Sequence, residues 1–399
     1  MPDFIVILGR EPELSVAEVV ALARREHLNL AWQTITPHYA LFEADCSADQ
    51  LQVLAGVVKC AQVLQTIPND PDKLAELARE TLTAAGYEQW HFGFSWYGVP
   101  PRWLKTVGMA IKREGKEAGK RARLVVAKES TLSSVVVAKN KLLPPEGCEF
   151  IVLPQGKAEL LVARTLWVQA FEEWSERDYG RPERDAKVGM LPPKLARLMV
   201  NLAQTPRGQA LLDPFCGSGT VLQEAALLGY GDLWGADASA AGIERSKTNL
   251  AWLKDKNPSL TADFNLQVAD IKDLAAKLEE QRFGAIVTEP YLGPPLGGHE
   301  GEERLRVIQQ QLVELYTIAT STLARLLEPT GRLVMVWPAF QGQSKLIELP
   351  LTIARTAGLV AERLLPTGVP AVWVRERGSL LYGRPGQRVV REIFVFRRA

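Results

Sequence analysis

The feature that most constrains the fold is a regular alternation of strand-like and helix-like segments after residue 187. Short apolar runs predict strands, and longer stretches with apolar residues every three or four positions predict helices. Repeated βα units need a largely parallel sheet with helices on both faces. We therefore expect an α/β, Rossmann-like domain over residues 187–399. Its predicted segments are 210–214, 220–228, 233–236, 240–253, 264–269, 284–288, 302–327 and 332–337.

The end of this domain has a different pattern. Residues 359–366 and 379–397 form two strand-like runs without a long helix between them. Parallel strands need a long crossover connection, whereas antiparallel strands do not. The pattern therefore predicts an antiparallel C-terminal hairpin at the edge of the mostly parallel sheet.

The most specific motif is the segment 211–220, LLDPFCGSGT. A predicted strand ends at Asp213, and a loop with Phe215, Gly217 and Gly219 leads into a helix that begins at Thr220. Glycines allow close approach of a ligand to the backbone, and the helix N-terminus offers free N–H groups. An acid before the loop would repel a phosphate but suits a cationic amino-acid headgroup, as in S-adenosylmethionine. The alternative is a tight βα turn without a ligand.

Acids also end the next two predicted strands. Asp237 follows 24 residues after Asp213 and is suited to ribose hydroxyls, and Asp270 is suited to an adenine amino group. Each could instead be a helix N-cap. Because ligands bind at the carboxyl edge of such sheets, three acids at three successive strand ends favour a cofactor site.

The fourth predicted strand, 284–288, runs into Glu289, Pro290 and Tyr291. The carboxylate and a Pro-fixed carbonyl can both accept hydrogen bonds from an exocyclic amino group, which orients its lone pair toward a methyl donor. The Tyr291 ring offers a face for stacking a flipped base. The alternative is a Pro-rich turn that leaves the strand.

These motifs together resemble the class I S-adenosylmethionine-dependent amino-methyltransferases, and among them the THUMP-domain tRNA guanosine N2-methyltransferases that act at guanosine ten. The family's catalytic motif is Asp or Asn, two prolines and an aromatic, so Glu289-Pro290-Tyr291 departs from it in acid length and spacing. The resemblance implies that Asp213, Asp237 and Asp270 bind the cofactor. It also implies that the segment with Arg184-Asp185-Ala186-Lys187 and Gly189-Met190-Leu191-Pro192 walls the cofactor pocket.

The resemblance covers nearly the whole chain and implies four parts. Residues 1–44 are an α+β, ferredoxin-like-type unit, with strand, helix (16–25) and strand; Ser15 and Glu18 predict a capping box. Residues 45–154 have the THUMP position, with helices at 48–58 and 71–85 and strands at 124–127, 134–138 and 150–154. Residues 155–186 are interpreted as a linker with bulky aromatics, before the methyltransferase domain at 187–399.

Two basic segments indicate a nucleic-acid partner. Residues 102–141 have eleven Lys and Arg against three Glu, a net charge of +8, with Trp96 and Tyr97 just upstream and Trp103 at the start of the segment. Such clusters beside aromatics are typical of RNA contact, which the family resemblance supports, although either segment could be a solvated face. Residues 375–399 carry +5. The candidate RNA-binding residues are Arg102, Lys105, Lys112, Arg113, Lys116, Lys120, Arg121 and Arg123.

Composition restricts the class of protein. The chain has 399 residues, 47% hydrophobic and 23% charged, which is typical of a globular protein with several domains. Its net charge of +1 hides the two basic segments. The four cysteines are far apart without a CxxC pair, so we expect neither disulfides nor a metal site. Without a signal peptide or membrane helix in the sequence, we expect a cytoplasmic protein.

The leading hypothesis is therefore a tRNA methyltransferase that uses S-adenosylmethionine and acts on guanosine N2. One alternative is an amino-methyltransferase for another base, or for rRNA or DNA. Another is an inactive cofactor-binding protein that binds RNA. The sequence leaves open the tRNA species, the number of methyl groups added, the oligomeric state and any need for a small activating protein partner.

Overall fold

The computed structural model describes residues 3–184, 190–297, 299–384 and 386–399. The chain divides into two compact units. Unit 1 comprises Met1–Gly9, Leu28–Val53 and Val57–Phe171. Unit 2 comprises Arg10–His27, Leu54–Gly56 and Glu172–Ala399.

Unit 1 is an α+β structure. Its strands are β1 (Asp3–Leu8), β2 (Leu30–Ile35), β3 (Tyr39–Ala44), β4 (Val57–Pro68), β5 (Gln89–Trp96), β6 (Arg121–Val125), β7 (Gly147–Gln155) and β8 (Glu159–Val168), in the sheet order β2-β3-β1-β4-β8-β7-β5-β6. Its helices are α2 (Pro71–Ala84), α3 (Leu104–Glu117) and α4 (Ser134–Lys139). Apolar faces of β5, β7 and α3 pack together, with Phe92, Ile111 and Phe150 fully buried.

Unit 2 is the expected α/β structure. Its strands are β9 (Leu211–Asp213), β10 (Asp232–Asp237), β11 (Asp263–Val268), β12 (Phe283–Thr288), β13 (Leu327–Gln341), β14 (Leu346–Glu348), β15 (Leu359–Ala361), β16 (Leu380–Tyr382) and β17 (Val389–Arg398). Its helices are α1 (Pro12–Arg25), α5 (Phe171–Ser175, whose first residue is in unit 1), α6 (Pro193–Leu202), α7 (Thr220–Leu227), α8 (Ala240–Lys256), α9 (Ile271–Lys277), α10 (Glu302–Leu326) and α11 (Thr352–Thr356).

The order β11-β10-β9-β12-β13-β17-β15 confirms the Rossmann-like prediction. Strands β9 to β13 pair in parallel, so their carboxyl ends share one edge of the sheet. Strand β17 is antiparallel to β13, β15 and β16. The antiparallel C-terminal pair at the edge of the sheet is confirmed: β17 pairs with β13, and β15 is the last strand of the order. The apolar residues Ile393, Phe394 and Phe396 of β17 are buried there.

Two local predictions between residues 45 and 154 are wrong. Residues 134–138 form α4 rather than a strand, because the Ser133 hydroxyl caps the helix by accepting from Val136 N. Residues 48–58 form a short 3₁₀ turn, Asp49–Val53, and the start of β4, which pairs with β1 and β8. Long-range strand pairing overrides the local helical pattern there. Helix 71–85 and the strand at 150–154 are confirmed.

The capping box at Ser15 and Glu18 is also wrong. Helix α1 begins earlier, with Pro12 in its first turn, so both residues lie inside it and are buried. The Ser15 hydroxyl donates to Gly56 O at 2.7 Å, and the Glu18 carboxylate accepts from the N–H groups of Ala55 and Gly56. These polar residues hold the 54–56 turn within unit 2 instead of capping the helix.

Residues 155–186, predicted as a linker, contain β8, which pairs with β4 and β7 in the sheet of unit 1. Within unit 1, Trp167 donates through Nε1 to Ala48 O at 2.9 Å. Trp174 lies in unit 2 and stacks with Arg177 and Arg197, whose guanidinium carbons are 4.5 and 4.8 Å from its ring centre. Strand β8 is not predicted from the sequence, because charged residues lie beside its apolar run and only pairing within the sheet shows that this run is buried.

Candidate active site

The glycine loop follows β9 in unit 2. Gly217 has φ +50° and Gly219 has φ +81°, values that L side chains rarely adopt. A Cβ built on Gly217 would meet no heavy atom within 4 Å, so its surface is open, whereas one on Gly219 would come within 3.0 Å of the Ser246 hydroxyl. Both glycines are therefore required by backbone conformation, and the loop presents open backbone beside the N-terminus of α7.

Asp213, at the end of β9, is 2% exposed. Its Oδ1 accepts from the Thr288 hydroxyl at 2.8 Å and from Phe215 N at 3.2 Å. Burial raises the pKa of this carboxyl to about 7, and the nearby acids Asp237 and Glu289 act in the same direction. The site therefore concentrates negative charge that a bound cation would stabilise.

Asp237 ends β10 and is half-buried. Its Oδ2 accepts from Gly217 N at 2.9 Å, and its Oδ1 accepts from Ser239 N at 2.8 Å. Each oxygen keeps a further lone pair for a ligand. Because Cys216 N also bonds Ala236 O at 2.9 Å, the glycine loop is held against the end of β10.

Asp270 follows β11, the strand beside β10. It is the N-cap of α9, with Oδ1 accepting from Lys272 N at 3.1 Å, and its side chain is 46% exposed. The preceding Ala269 N bonds Asp237 O at 3.0 Å, so the two strand ends are adjacent. The structure thus brings Asp213, Asp237 and Asp270 to one edge of the sheet, as the sequence predicts, while also making Asp270 a helix cap.

Glu289 and Pro290 leave the end of β12, next to β9. The Glu289 carboxylate forms a two-point ion pair with Arg391 of β17, at 2.5 and 3.0 Å. Pro290 is buried, and the Tyr291 side chain is 53% exposed while its carbonyl accepts from the Tyr316 hydroxyl at 3.3 Å. The predicted base-stacking ring is therefore accessible, and the backbone that carries it is held by the hydrogen bond from Tyr316.

Two arginines at the site, Arg181 and Arg391, are not among the site residues that the sequence predicts. Arg181, 3% exposed, donates to the Thr220 hydroxyl at 2.7 Å and contacts Met190 Sδ at 3.0 Å. It joins the segment before α6 to the first residue of α7; Pro192 is the half-exposed N-cap residue of α6. In the sequence, the only feature that could have pointed to Arg391 is the basic character of residues 375–399. Of the predicted pocket wall, Asp185, Ala186, Lys187 and Gly189 lie outside the described residues.

The basic cluster lies in unit 1, on α3 and β6. Burial and the cations Arg123 and Lys141 lower the pKa of His91, which reflects local positive charge. Trp96 is 2% exposed and packs edge-on against Trp103, so it belongs to the core rather than to a stacking surface. The candidate residues Arg102, Lys105, Lys112, Arg113, Lys116, Lys120, Arg121 and Arg123 are exposed or half-exposed. A pocket of about 430 Å³ is lined by His91, Lys116, Gly119, Lys120, Arg121, Ala122 and Arg123.

The second basic segment is largely paired within unit 2. Arg375 and Arg377 both bond the fully buried carboxylate of Glu392, and Arg398 donates to the carbonyls of Ala324 and Leu327. These side chains stabilise the C-terminal strands, so the segment's charge does not make a free basic surface.

Within the described residues, no group of three or more His, Cys, Asp or Glu is arranged to hold a metal ion. Over those same ranges, no helix is both long and apolar enough to cross a membrane. The four cysteines are buried free thiols.

Comparisons with known proteins agree with this geometry. Residues 181–355 match the family model of the RMKL-like methyltransferase domain. A tRNA (guanine(10)-N2)-dimethyltransferase of Methanothermobacter thermautotrophicus is 41% identical over 26% of this chain and 28% of its own length. The Pyrococcus abyssi protein of that name is 29% identical over 47% and 52%. The chain thus matches about a quarter to a half of these two relatives.

Solved structures with a similar fold have low sequence identity to the chain. The crystal structure of TrmN from Thermus thermophilus has a TM-score of 0.54 at 14% identity, with all of both chains covered. The structure of "a possible methylase from Clostridium difficile 630" has a TM-score of 0.52 at 13% identity, over 100% of this chain and 98% of its own. These comparisons support the fold prediction alone.

Proposed function

We propose that this chain, whose residues 181–355 match the RMKL-like methyltransferase domain, transfers a methyl group from S-adenosylmethionine to the exocyclic N2 of a guanosine in tRNA. One observation carries the proposal. Three acids end adjacent parallel strands beside an open glycine loop, and the Glu289-Pro290-Tyr291 segment ends the next strand of the same sheet. The partial similarity to tRNA (guanine(10)-N2)-dimethyltransferases supports the choice of substrate.

The residues present fit this cofactor. Gly217 has open space over its Cα and a positive φ, so a ligand can approach its backbone. The buried Asp213 suits the cofactor's ammonium group, Asp237 its ribose hydroxyls and Asp270 its adenine amino group. When bound, S-adenosylmethionine supplies an electrophilic methyl group on a sulfonium that leaves as a neutral thioether.

The chain's own residues orient the acceptor. The Glu289 carboxylate and the Pro290 carbonyl accept hydrogen bonds from the exocyclic amino group, which directs the nitrogen lone pair along the transfer line. The accessible Tyr291 ring stacks on the base. Because the methyl group is already activated, positioning supplies most of the catalysis.

For the rest of the chain we propose an N-terminal unit at 1–44, whose helix α1 lies in unit 2, a THUMP RNA-binding domain that begins at residue 45, and the methyltransferase domain at 187–399. The exposed basic side chains of α3 and β6 would bind tRNA phosphates. Such a substrate implies a cytoplasmic protein. The assignment of β8 to the sheet of unit 1 favours extending the RNA-binding domain through that strand.

The basic surface gives a first prediction. Replacing Lys105 and Lys116 with alanine is expected to weaken tRNA binding and to reduce the slope of log affinity against log salt by about 2, since each phosphate contact releases counterions. Both side chains are exposed on α3. Titration of labelled tRNA at several salt concentrations measures the slope. The matched control, Lys73→Ala with Lys157→Ala, removes two exposed lysines of unit 1 outside the cluster and should leave the slope unchanged.

Asp213 gives a second prediction. With a pKa of about 7 its carboxyl is largely protonated at pH 6, and it ionises as the pH rises to 8. The ionised form attracts the cofactor's ammonium, so cofactor affinity should rise with pH over this range, by up to about tenfold. Isothermal titration at several pH values measures this rise. In Asp213→Asn the affinity should lose this pH dependence; an unchanged rise would contradict the assignment.

The direct test of the proposed function is incubation of bulk unmodified tRNA with methyl-labelled S-adenosylmethionine, followed by identification of the labelled nucleoside. N2-methylguanosine or its dimethyl form supports the proposal. A different methylated base supports an amino-methyltransferase of another specificity, including one for rRNA or DNA. Cofactor binding without methylation of any RNA or DNA supports an inactive RNA-binding protein, which the departure at Glu289-Pro290-Tyr291 favours.

A further inference from the structure

The ion pair between Glu289 and Arg391 is largely enclosed. The Glu289 side chain is 11% exposed and that of Arg391 is 12% exposed. Both carboxylate oxygens accept from the guanidinium, one from Nε at 2.5 Å and the other from Nη2 at 3.0 Å. A two-point contact of this kind fixes the plane of the carboxylate as well as its position.

Strand topology explains how Arg391 reaches this position. Strand β17 lies two strands away from β12, with β13 between them, and Arg391 is opposite Pro338 of β13. Neighbouring strands are about 4.8 Å apart, so the span of about 10 Å needs a long side chain on each partner. Glu289 has one methylene more than the aspartate of the resembling motif, which brings its carboxylate toward Arg391.

Neighbouring residues of β17 have separate partners. Glu392 faces away from Arg391 because side chains alternate along a strand, and it is bonded by Arg375, Arg377 and Ser379. Among the described residues, Asp213 of β9, Tyr316 of α10 and Tyr382 of β16 also interact electrostatically with a member of the Glu289–Arg391 pair. The pair is thus a distinct unit rather than part of the arginine cluster at Glu392.

We propose that Arg391 is a positioning residue that orients the Glu289 carboxylate for the acceptor amino group. This inference rests on the proposed function and deepens it. The guanidinium takes one lone pair of each carboxylate oxygen, so the outward lone pairs remain available to accept from an amino group. It also neutralises the charge, so the pair can be kept beside the buried Asp213.

The sharpest experiment compares Arg391→Gln, Arg391→Lys and the double variant Glu289→Gln/Arg391→Gln. In Arg391→Gln the enclosed carboxylate loses its cation, so it takes up a proton at higher pH. We expect kcat for methyl transfer to fall by about 10- to 100-fold, with KM for S-adenosylmethionine unchanged and the acidic limb of the pH–rate profile moved upward. Arg391→Lys keeps the charge but loses the two-point contact, so its kcat should lie between those of Arg391→Gln and the wild type.

A second measurement is independent of activity. The folded state of Arg391→Gln should become less stable toward thermal unfolding as the pH rises, because an unpaired carboxylate is then ionised in an enclosed site. The double variant, which cannot ionise there, should not show this trend. Arg397→Gln is the matched control, because Arg397 is an exposed arginine of the same strand; it should match the wild type in both measurements.

The outcomes separate the two proposals. Native kcat and pH profile in Arg391→Gln, or unfolding with the pH dependence of the wild type, would overturn the positioning role. A wild-type protein that methylates no nucleic acid would contradict the proposed function, while the unfolding measurement still decides whether Arg391 compensates the charge of the Glu289 carboxylate.

Discussion

Replacement of Glu289 by alanine should lower the rate of methyl transfer to tRNA by about 100-fold or more, with cofactor affinity nearly unchanged. Glu289 follows the strand beside Asp213 and offers the acceptor for the exocyclic amino group. Without it, the nitrogen lone pair is no longer directed at the methyl group, and misplacement of this kind is costly. Single-turnover rates with saturating tRNA and cofactor measure the effect.

The control for this prediction is Glu289→Gln, which keeps the size of the side chain and one acceptor oxygen. It should retain more activity than alanine if orientation is the main contribution, because the amide can still accept a hydrogen bond. Isothermal titration of the cofactor shows whether the fold of the site is preserved. A Glu289→Ala protein with the native rate would remove Glu289 from the mechanism.

The second large effect concerns the stability of unit 1. Lys59 of β4 and Glu149 of β7 form a buried ion pair, and the Glu149 side chain is fully buried. Glu149 also accepts from the hydroxyls of Ser95 and Thr165, and Lys59 donates to Leu132 O at 2.5 Å. Lys59→Met should lower the free energy of unfolding by about 3–5 kcal/mol, because it leaves an uncompensated charge in the core.

A double variant tests the cause. In Lys59→Met/Glu149→Gln the charge is removed while an acceptor remains for the two hydroxyls, so most of the lost stability should return. Denaturant unfolding of the full chain, followed by tryptophan fluorescence, measures the difference. Equal destabilisation in the single and double variants would show that packing, rather than the unpaired carboxylate, accounts for the loss.

The predictions that the structure confirms all depend on local patterns. The alternation of strands and helices after residue 187, the glycines with positive φ and the acids at strand ends can be seen within short windows. Helix and strand periods and glycine requirements are properties of the local chain. Since parallel strands share their carboxyl edge, local positions also predict that Asp213, Asp237 and Asp270 converge.

Most of the wrong predictions concern segments whose structure depends on partners that are distant in the sequence. Pairing of β4 with β1 decides the structure at the end of the 48–58 segment, and pairing of β8 with β7 removes much of the predicted linker at 155–186. The predicted capping box fails because Ser15 and Glu18 bond the 54–56 turn instead. Residues 134–138 differ, because one serine cap outweighs strand propensity in a short helix.

The sequence alone determined that unit 2 is a doubly wound α/β structure with a glycine loop and acids at its ligand edge. Only the tertiary structure decided that α1 belongs to unit 2, that β17 is inserted between β13 and β15, and that Arg391 binds Glu289. The physical reason is the range of the interactions. Backbone conformation and side-chain periodicity are local, whereas an ion pair between residues 102 positions apart exists only after the strands between them have paired.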